Sequence, residues 1–155
     1  MSKRIITMGK WEKQPIEWIV LIDNETSMLC VSESVLFSHC FNDNENKGSN
    51  YSSSDIRAYL NNEFWSKAFS ATEKKMIINA VLPDVNNAKD DVFLLSKSEV
   101  DSLMTSEEAT CGNWWYSRTA KTNKTVYDHK SDRHEWGEYL TDADGIRPAI
   151  WVKKF

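Results

Sequence analysis

The chain has 155 residues, of which 41% are apolar, and a formal net charge of −4 at pH 7. This length fits one domain and is short for two, and an acidic chain is a poor nonspecific binder of nucleic acid. No run approaches the roughly 20 apolar residues that span a bilayer, and no apolar signal-peptide segment follows the basic N-terminus. Three cysteines cannot form a closed disulfide framework. We therefore expect a single domain, 1–155, located in the cytoplasm and not bound to a membrane.

Charge is unevenly distributed along the chain. Residues 1–109 carry 11 basic and 17 acidic side chains, whereas residues 110–155 carry 8 basic and 6 acidic ones. Only the last third is therefore net positive, and only it could attract an anion.

The first 41 residues contain several predicted strands. Residues 4–7 fit a short edge strand, and residues 16–23 contain the apolar run WIVLI. Polar residues typical of a turn begin at Asp23, so residues 28–31 should return as the second strand of a hairpin. Residues 35–41 are apolar again, and residues 42–54 are polar enough to form a surface loop.

Three N-cap signals predict helices in the middle of the chain. Ser54 precedes apolar residues at helical spacing, and the sequences SATE and SKSE, which begin at residues 70 and 96, are capping boxes. The second helix is expected to continue to Ala80, because Pro83 is the first residue that blocks it. Residues 92–95 (VFLL) predict a buried strand just before the third helix.

The last third of the chain combines strands with a long polar segment. Residues 114–116 (WWY) predict a strand, residues 117–144 are mostly polar, and residues 146–152 predict a final strand with Pro148 near its start. Strands at both ends with helices between them favour the α+β fold class. We expect a mixed or antiparallel sheet with two to three packed helices.

The sequence has no local motif for catalysis or for a cofactor. Its five glycines are scattered, so no phosphate-binding loop is expected, and no nucleophile elbow occurs. His129 and His134 lie among acidic residues, but their spacing matches no metal signature. The DADG sequence that ends at Gly145 fits a tight turn. We therefore expect a protein that is not an enzyme and that uses no cofactor and no metal.

Cationic and aromatic side chains alternate between residues 114 and 136. This combination suits an anionic, sugar-like or aromatic ligand, or an acidic protein surface. The alternative interpretation is a solvated loop beside aromatic residues of the core. The candidate ligand-binding residues are Trp115, Tyr116, Arg118, Lys121, Lys124, Tyr127, Arg133 and Trp136.

Arg147 lies in an otherwise apolar segment. An unpaired charge is very costly there, so a buried Arg147 needs a carboxylate or several carbonyls as partners. The available carboxylates are those of Asp55, Glu63, Asp142 and Asp144. We predict a structural role for Arg147, in which it ties the last strand to a helix or loop.

Several sequence segments resemble an uncharacterised domain family of bacteria and their phages. They are IEWIVL at 16–21, DIRAYLNNEF at 55–64, AFSATE at 68–73, FLLS at 93–96 and GIRPAIW at 145–151. The corresponding family motifs are W-x-V-L, R-x-W-L-N-x-x-F, A-F-x-x-x-E, F-L-L-S and G-V-R-P-A-L. The resemblance extends from about residue 9 to residue 152 and rests on the order and spacing of the motifs.

One motif departs from the family pattern. The family reads W-W-L-R-S where this chain has WWYSR at 114–118, so Arg118 is displaced by one position. On a strand this displacement turns the side chain to the opposite face, unless a bulge restores its direction.

The last two motifs are also distantly similar to the end of C-type-lectin-like and formylglycine-generating-enzyme-like domains. That likeness implies that both segments lie in a central sheet and that the loops between them form the ligand surface. The formylglycine enzymes use a pair of reactive cysteines near this region. Only Cys111 is close here, so oxidase chemistry is not expected.

Two functions are favoured from the sequence, and an enzyme is a third, less favoured alternative. The first is a noncatalytic binding module that uses residues 114–144 to bind a protein or a small anionic or sugar-like ligand. The second is a phage or prophage accessory protein that inhibits a host protein, such as a defence component, which the distribution of the similar family allows.

Overall fold

The computed structural model describes residues 4–131 and 134–154, without the side chains of residues 130, 131 and 134–136. The chain forms two five-stranded sheets and one two-stranded hairpin, together with several short helices. The α+β fold class is thus confirmed, but the single expected sheet is replaced by two. The strands are β1 Ile5–Trp11, β2 Gln14–Asp23, β3 Ser27–Ser32, β4 Phe37–His39, β5 Ile77–Ile78, β6 Ala80–Leu82, β7 Ala88–Asp90, β8 Trp115–Ala120, β9 Thr125–Ser131, β10 His134–Tyr139, β11 Asp144–Ile146 and β12 Ala149–Lys153.

The first sheet is antiparallel and has the order β1-β2-β3-β12-β5. The predicted hairpin is present: β2 and β3 pair from Trp18↔Ser32 to Asp23↔Met28, and the turn follows Asp23. The indole of Trp18 is fully buried and donates to the carbonyl of Met8, 2.7 Å away. This bond ties the edge strand β1 to the core.

The second sheet is mixed and has the order β10-β9-β8-β11-β4. Strands β8 and β11 are parallel, while the other neighbours are antiparallel. The polar segment 117–144, expected to form loops, is largely strand, because β8, β9 and β10 form an antiparallel meander. The expectation was wrong because polar side chains such as Asp128 occupy buried positions of these strands. The sequence therefore lacks the alternation of apolar and polar residues that usually indicates a strand.

The helices are short and begin at capped residues. Residues 55–68 form one helical segment made of α1 Asp55–Tyr59, a π-helical turn Leu60–Phe64 and α2 Trp65–Ala68. The other helices are α3 Ala71–Met76, α4 Lys97–Leu103 and α5 Ser106–Ala109. Both predicted capping boxes are confirmed, and a third, formed by Thr105 and Glu108, opens α5.

Two expectations for the middle of the chain need correction. Helix α3 ends at Met76 and not at Ala80, because the β-branched pair Ile77–Ile78 joins the first sheet beside β12. Residues 92–95 are buried as expected, but their only strand pairing within the described chain is the bridge from Phe93 to Ala149.

The chain passes from one sheet to the other at Arg147 and Pro148. The predicted single strand 146–152 is therefore two strands, β11 in the second sheet and β12 in the first. Pro148 has no amide hydrogen to donate, and it lies between β11 and β12, where no strand pairing requires that donor. This crossing places Arg147 between the two sheets.

Gly145 lies in β11 between the neighbouring strands β4 and β8, at a close approach of the backbones. A Cβ atom built on it would lie 2.4 Å from the carbonyl oxygen of Trp114 and 2.8 Å from a methyl group of Val35. Because the nearer atom belongs to the backbone, it can move away only by distorting the β8–β11 pairing.

We therefore expect Gly145→Ala to lower the free energy of unfolding by about 1–3 kcal/mol through overpacking. Urea unfolding followed by tryptophan fluorescence measures this loss. Gly48→Ala is an imperfect control: a Cβ there meets no atom within 4 Å, although the positive φ of 77° adds backbone strain. A Gly145→Ala protein as stable as the wild type would contradict the close approach.

The helices of the described chain are all too short and too polar to cross a lipid bilayer.

Candidate functional site

A groove of about 980 Å³ runs between α4 and the end of β8 in the β8–β9 hairpin. Loop residues near 50 and near 84 close its other two sides. Its lining includes several hydroxyl side chains and one side-chain amide, that of Asn50. The residues that line it are Ser49, Asn50, Tyr51, Pro83, Asp84, Val85, Ser96, Lys97, Ser98, Glu99, Asp101, Ser102, Arg118, Thr119 and Ala120.

Arg118 lies at the base of this groove and is only 5% exposed. Its guanidinium donates to both carboxylate oxygens of Asp84, at 3.0 and 2.7 Å, and to Glu99 at 2.7 Å. A fourth bond, of 2.7 Å, goes to the carbonyl of Leu94, and the ring of Phe93 lies 5.8 Å away. Burial alone would lower the pKa of Arg118, but the hydrogen bonds that it donates to Asp84 raise its pKa above the ordinary value. Arg118 is therefore held as a charged structural group by four hydrogen bonds.

Both faces of β8 are covered near Arg118. Trp115, Tyr116 and Arg118 are all buried. The pairing of β8 with β9 shifts register between Tyr116 and Ala120, so Arg118 lies in an irregular stretch of the strand. The displaced arginine of the WWYSR sequence thus points inward.

Two lysines flank one tyrosine ring at the rim of the groove. The ammonium of Lys97 lies 5.5 Å from the ring centre of Tyr127, and that of Lys121 lies 5.9 Å from it. Both distances suit cation–π attraction. Lys97 also forms a 2.7 Å ion pair with Asp101. Lys121 and Tyr127 are therefore brought together next to the groove, whereas Lys124 is exposed on the β8–β9 turn.

Trp115 and Tyr116 belong to the core and not to a ligand surface, which corrects their prediction as contact residues. Both are 0% exposed. The indole of Trp115 donates to the carbonyl of Ala109 at 3.1 Å, and the Tyr116 hydroxyl lies 2.7 Å and 2.8 Å from the carbonyls of Tyr139 and Asp142. Large aromatic rings on a central strand are buried because they remove the most apolar area from water.

The last two predicted contacts cannot be placed. Arg133 lies outside the described residues, and the side chain of Trp136 lies outside the described side chains, although the backbone of Trp136 belongs to β10. Of the predicted set, Arg118 lines the groove, and Lys121 and Tyr127 lie next to it, because the Tyr127 ring contacts the lining residue Lys97.

A second polar feature lies within the β8–β11 region. One carboxylate oxygen from each of Asp128, Glu138 and Asp144 lies within 4.8 Å of the other two. Burial, and then the neighbouring carboxyl of Asp144, raise the pKa of Asp128 to about 8. Burial also raises the pKa values of Glu138 and Asp144.

His129 follows Asp128 but does not take part in the carboxylate cluster. It is 0% exposed, its ring packs against Trp115 at 5.1 Å, and neither ring nitrogen has a hydrogen-bond partner. Burial lowers the pKa of His129 to about 4, so the ring is neutral at pH 7. It acts as an aromatic residue of the core. His39 Nδ1 lies 2.6 Å from the carbonyl oxygen of Cys40, and the His39 ring packs against Tyr59.

A second groove of about 920 Å³ lies between α5 and β1–β2, with Ile5, Glu33 and Glu107 among its lining residues. The volumes of the two grooves are too similar to indicate which groove binds a ligand. The first groove contains residues of the cationic-aromatic segment and is bounded by a fixed ion-pair network, so it is the better candidate site.

Sequence reasoning missed the side of the groove that lies opposite the aromatic segment. Asp84 has no role in the sequence interpretation, and Glu99 appears there only as the last residue of the SKSE capping box. The side chain of Asp84 is 47% exposed, so no burial pattern in the sequence marks it as a partner of Arg118.

A sequence model of the family described as "Domain of unknown function (DUF6273)" matches residues 25–154. This match confirms the resemblance to an uncharacterised domain family. Neither a curated protein nor a solved structure matches the chain.

Proposed function

The chain belongs to the DUF6273 family, and we propose that it is a noncatalytic binding module whose ligand lies in the groove between α4 and the β8–β9 hairpin. The observation that carries the proposal is this preformed groove, whose base and rim are fixed by Arg118 and by the Lys97–Tyr127–Lys121 contact. A ligand therefore meets an ordered surface, which lowers the entropy cost of binding.

The charges of the groove favour a neutral, polar ligand over an anion. Arg118 is neutralised by Asp84 and Glu99, and Lys97 is paired with Asp101. An anion would have to compete with carboxylates that already hold these cations. Hydroxyl and amide groups around them, such as those of Ser98, Asn50 and Thr119, offer hydrogen bonds to a sugar-like ligand.

The arrangement of the sheet supports a C-type-lectin-like scaffold as part of this proposal. The aromatic-arginine strand β8 and the Gly-x-Arg-Pro strand β11 are neighbours, with Gly145 opposite Trp115. The segment between them reaches the rim of the groove through Lys121 and Tyr127. This is the placement that the likeness to lectin-like domains implies.

A bulky substitution tests the groove. Ser98 is exposed on the second residue of α4 and faces the groove, so Ser98→Trp should fill it and weaken ligand binding by about tenfold or more, which is about 1.4 kcal/mol or more. Thr72→Trp is the matched control, because Thr72 is the exposed second residue of α3, which has the same kind of capping box. The measurement is binding to an array of neutral glycans, with affinities determined by calorimetry.

The expected result is a glycan that the wild type and Thr72→Trp bind and leave chemically intact, and that Ser98→Trp does not bind. Equal binding by all three proteins would move the site away from the groove. Turnover of the bound glycan would make the protein an enzyme. Stoichiometric capture of a host protein, with no glycan bound, would favour the accessory-protein hypothesis.

A further inference from the structure

Three acidic side chains converge in the second sheet, and none of the three lines the groove. Asp128 belongs to β9, Glu138 to β10 and Asp144 to β11, and one oxygen of each lies within 4.8 Å of the other two. Three carboxylates at this spacing repel one another strongly unless protons or a cation neutralise them.

Two of these carboxylates are buried and incompletely bonded. Asp128 is 2% exposed and Asp144 is 8% exposed, and Asp128 Oδ1 and Asp144 Oδ2 accept no hydrogen bond from another part of the described chain. The two carboxyl groups are close enough to hydrogen-bond to each other when one of them holds a proton. Among the described side chains, none of the three acids has a lysine or arginine as an ion-pair partner. Buried charges in folded proteins are paired or coordinate metals, so this cluster needs either a shared proton or a cation.

Backbone contacts orient the carboxylates in a way that suits metal ligation. The amide of Gly145 donates to Asp144 Oδ1 at 3.0 Å, which leaves Oδ2 without a donor. The amide of Tyr139 donates to Glu138 Oε1 at 2.9 Å, and the carboxyl group of Asp142 is a further neighbour of Glu138. Outer hydrogen bonds of this kind fix the direction of ligating carboxylates.

The Tyr116 hydroxyl holds the turn that joins the two ligand strands. It lies 2.7 Å from the Tyr139 carbonyl and 2.8 Å from the Asp142 carbonyl, which places one contact beside Glu138 and the other beside Asp144. The relative positions of these two acids are therefore fixed before any ligand arrives.

We propose that Asp128, Glu138 and Asp144 form a binding site for a hard divalent cation, with Ca²⁺ as the best fit. Only oxygen ligands are present, and these are the ligands that Ca²⁺ prefers. Ca²⁺–oxygen distances of about 2.3–2.6 Å allow two ligand oxygens to lie up to about 5 Å apart, which accommodates the observed spacing. Glu138 is only half-buried, which gives the ion a route from solvent.

Calorimetric titration of the metal-stripped full chain with Ca²⁺ tests the site, with Mg²⁺ and Mn²⁺ as competing probes. We expect one Ca²⁺ per chain and a rise in melting temperature on Ca²⁺ addition. Asp144→Asn should weaken Ca²⁺ binding by about tenfold or more, because it removes one of three charged ligands. Glu45→Gln removes an exposed charge from the 3₁₀ turn Glu45–Lys47 and should bind Ca²⁺ as the wild type does.

A second readout separates ligation from folding. In EDTA, Asp144→Asn should be at least as stable as the wild type, because it relieves repulsion between buried carboxylates. If Asp144→Asn does not fold, Glu138→Gln replaces it as the test variant, because Glu138 is only half-buried. The same loss of Ca²⁺ affinity is expected for Glu138→Gln.

Absence of heat and of any melting-temperature shift at millimolar Ca²⁺, Mg²⁺ and Mn²⁺ would overturn the proposal and leave a proton shared between Asp128 and Asp144 as the explanation. The groove and the cation site are tested independently, since Ser98→Trp should bind Ca²⁺ normally.

Discussion

Arg147→Met should lower the free energy of unfolding by about 3–5 kcal/mol. The Arg147 side chain is 0% exposed, and its guanidinium donates to three carbonyls, those of Ser32 at 3.0 Å, Glu33 at 3.0 Å and Glu108 at 2.9 Å. Methionine fills a similar length but has no donor, so all three carbonyls lose their charged partner. The stacking of the guanidinium on Trp115, at 4.8 Å, is lost as well.

Urea unfolding followed by tryptophan fluorescence measures this effect. Arg4→Met is the control, because Arg4 is half-exposed and its 3.9 Å contact with Asp23 is worth no more than about 1 kcal/mol. Arg147→Lys should recover only part of the loss, since one ammonium cannot reach three carbonyls in fork geometry. A folded Arg147→Met protein with unchanged stability and lost ligand binding would place Arg147 in the binding site.

The position of Arg147 explains why its structural role could be predicted but its partners could not. A charge within an apolar segment must find partners, and this followed from the sequence. The carboxylates of Asp55, Glu63, Asp142 and Asp144 were expected, but carbonyls from the end of β3 and from α5 take their place. They meet only because the chain changes sheets at this residue, and no local pattern encodes such a crossing.

The same distinction holds for the rest of the fold. Capping boxes and the β2–β3 hairpin were predicted correctly, because their chemistry lies within a few residues. The β8–β10 meander was missed, because Asp128 and His129 occupy buried strand positions that apolar residues usually hold. Arg118 was assigned to a ligand surface, since its partner Asp84 lies 34 residues away along the chain.

Arg118→Met should lower the free energy of unfolding by about 2–4 kcal/mol at pH 7. The change strands the carboxylates of Asp84 and Glu99 and removes the donor from the Leu94 carbonyl. The loss is smaller than for Arg147, because the side chains of Asp84 and Glu99 are 47% and 30% exposed and water replaces part of the bonding. Lys121→Met is the control: Lys121 is exposed, so its loss should change stability by no more than about 0.5 kcal/mol.

The pH dependence identifies the ion pair as the cause. Burial alone would raise the pKa of Asp84, but the hydrogen bonds that Arg118 donates lower this pKa below its ordinary value. The contribution of the pair is therefore complete above the unfolded pKa of Asp, about 3.9, and is lost as the pH falls through the lower folded pKa. The stability difference between the wild type and Arg118→Met should be constant from about pH 5 to 7 and should shrink below about pH 4. A difference that stays constant down to pH 2 would show that Arg118 stabilises the fold by packing on Phe93 and by its bond to Leu94, and not through Asp84.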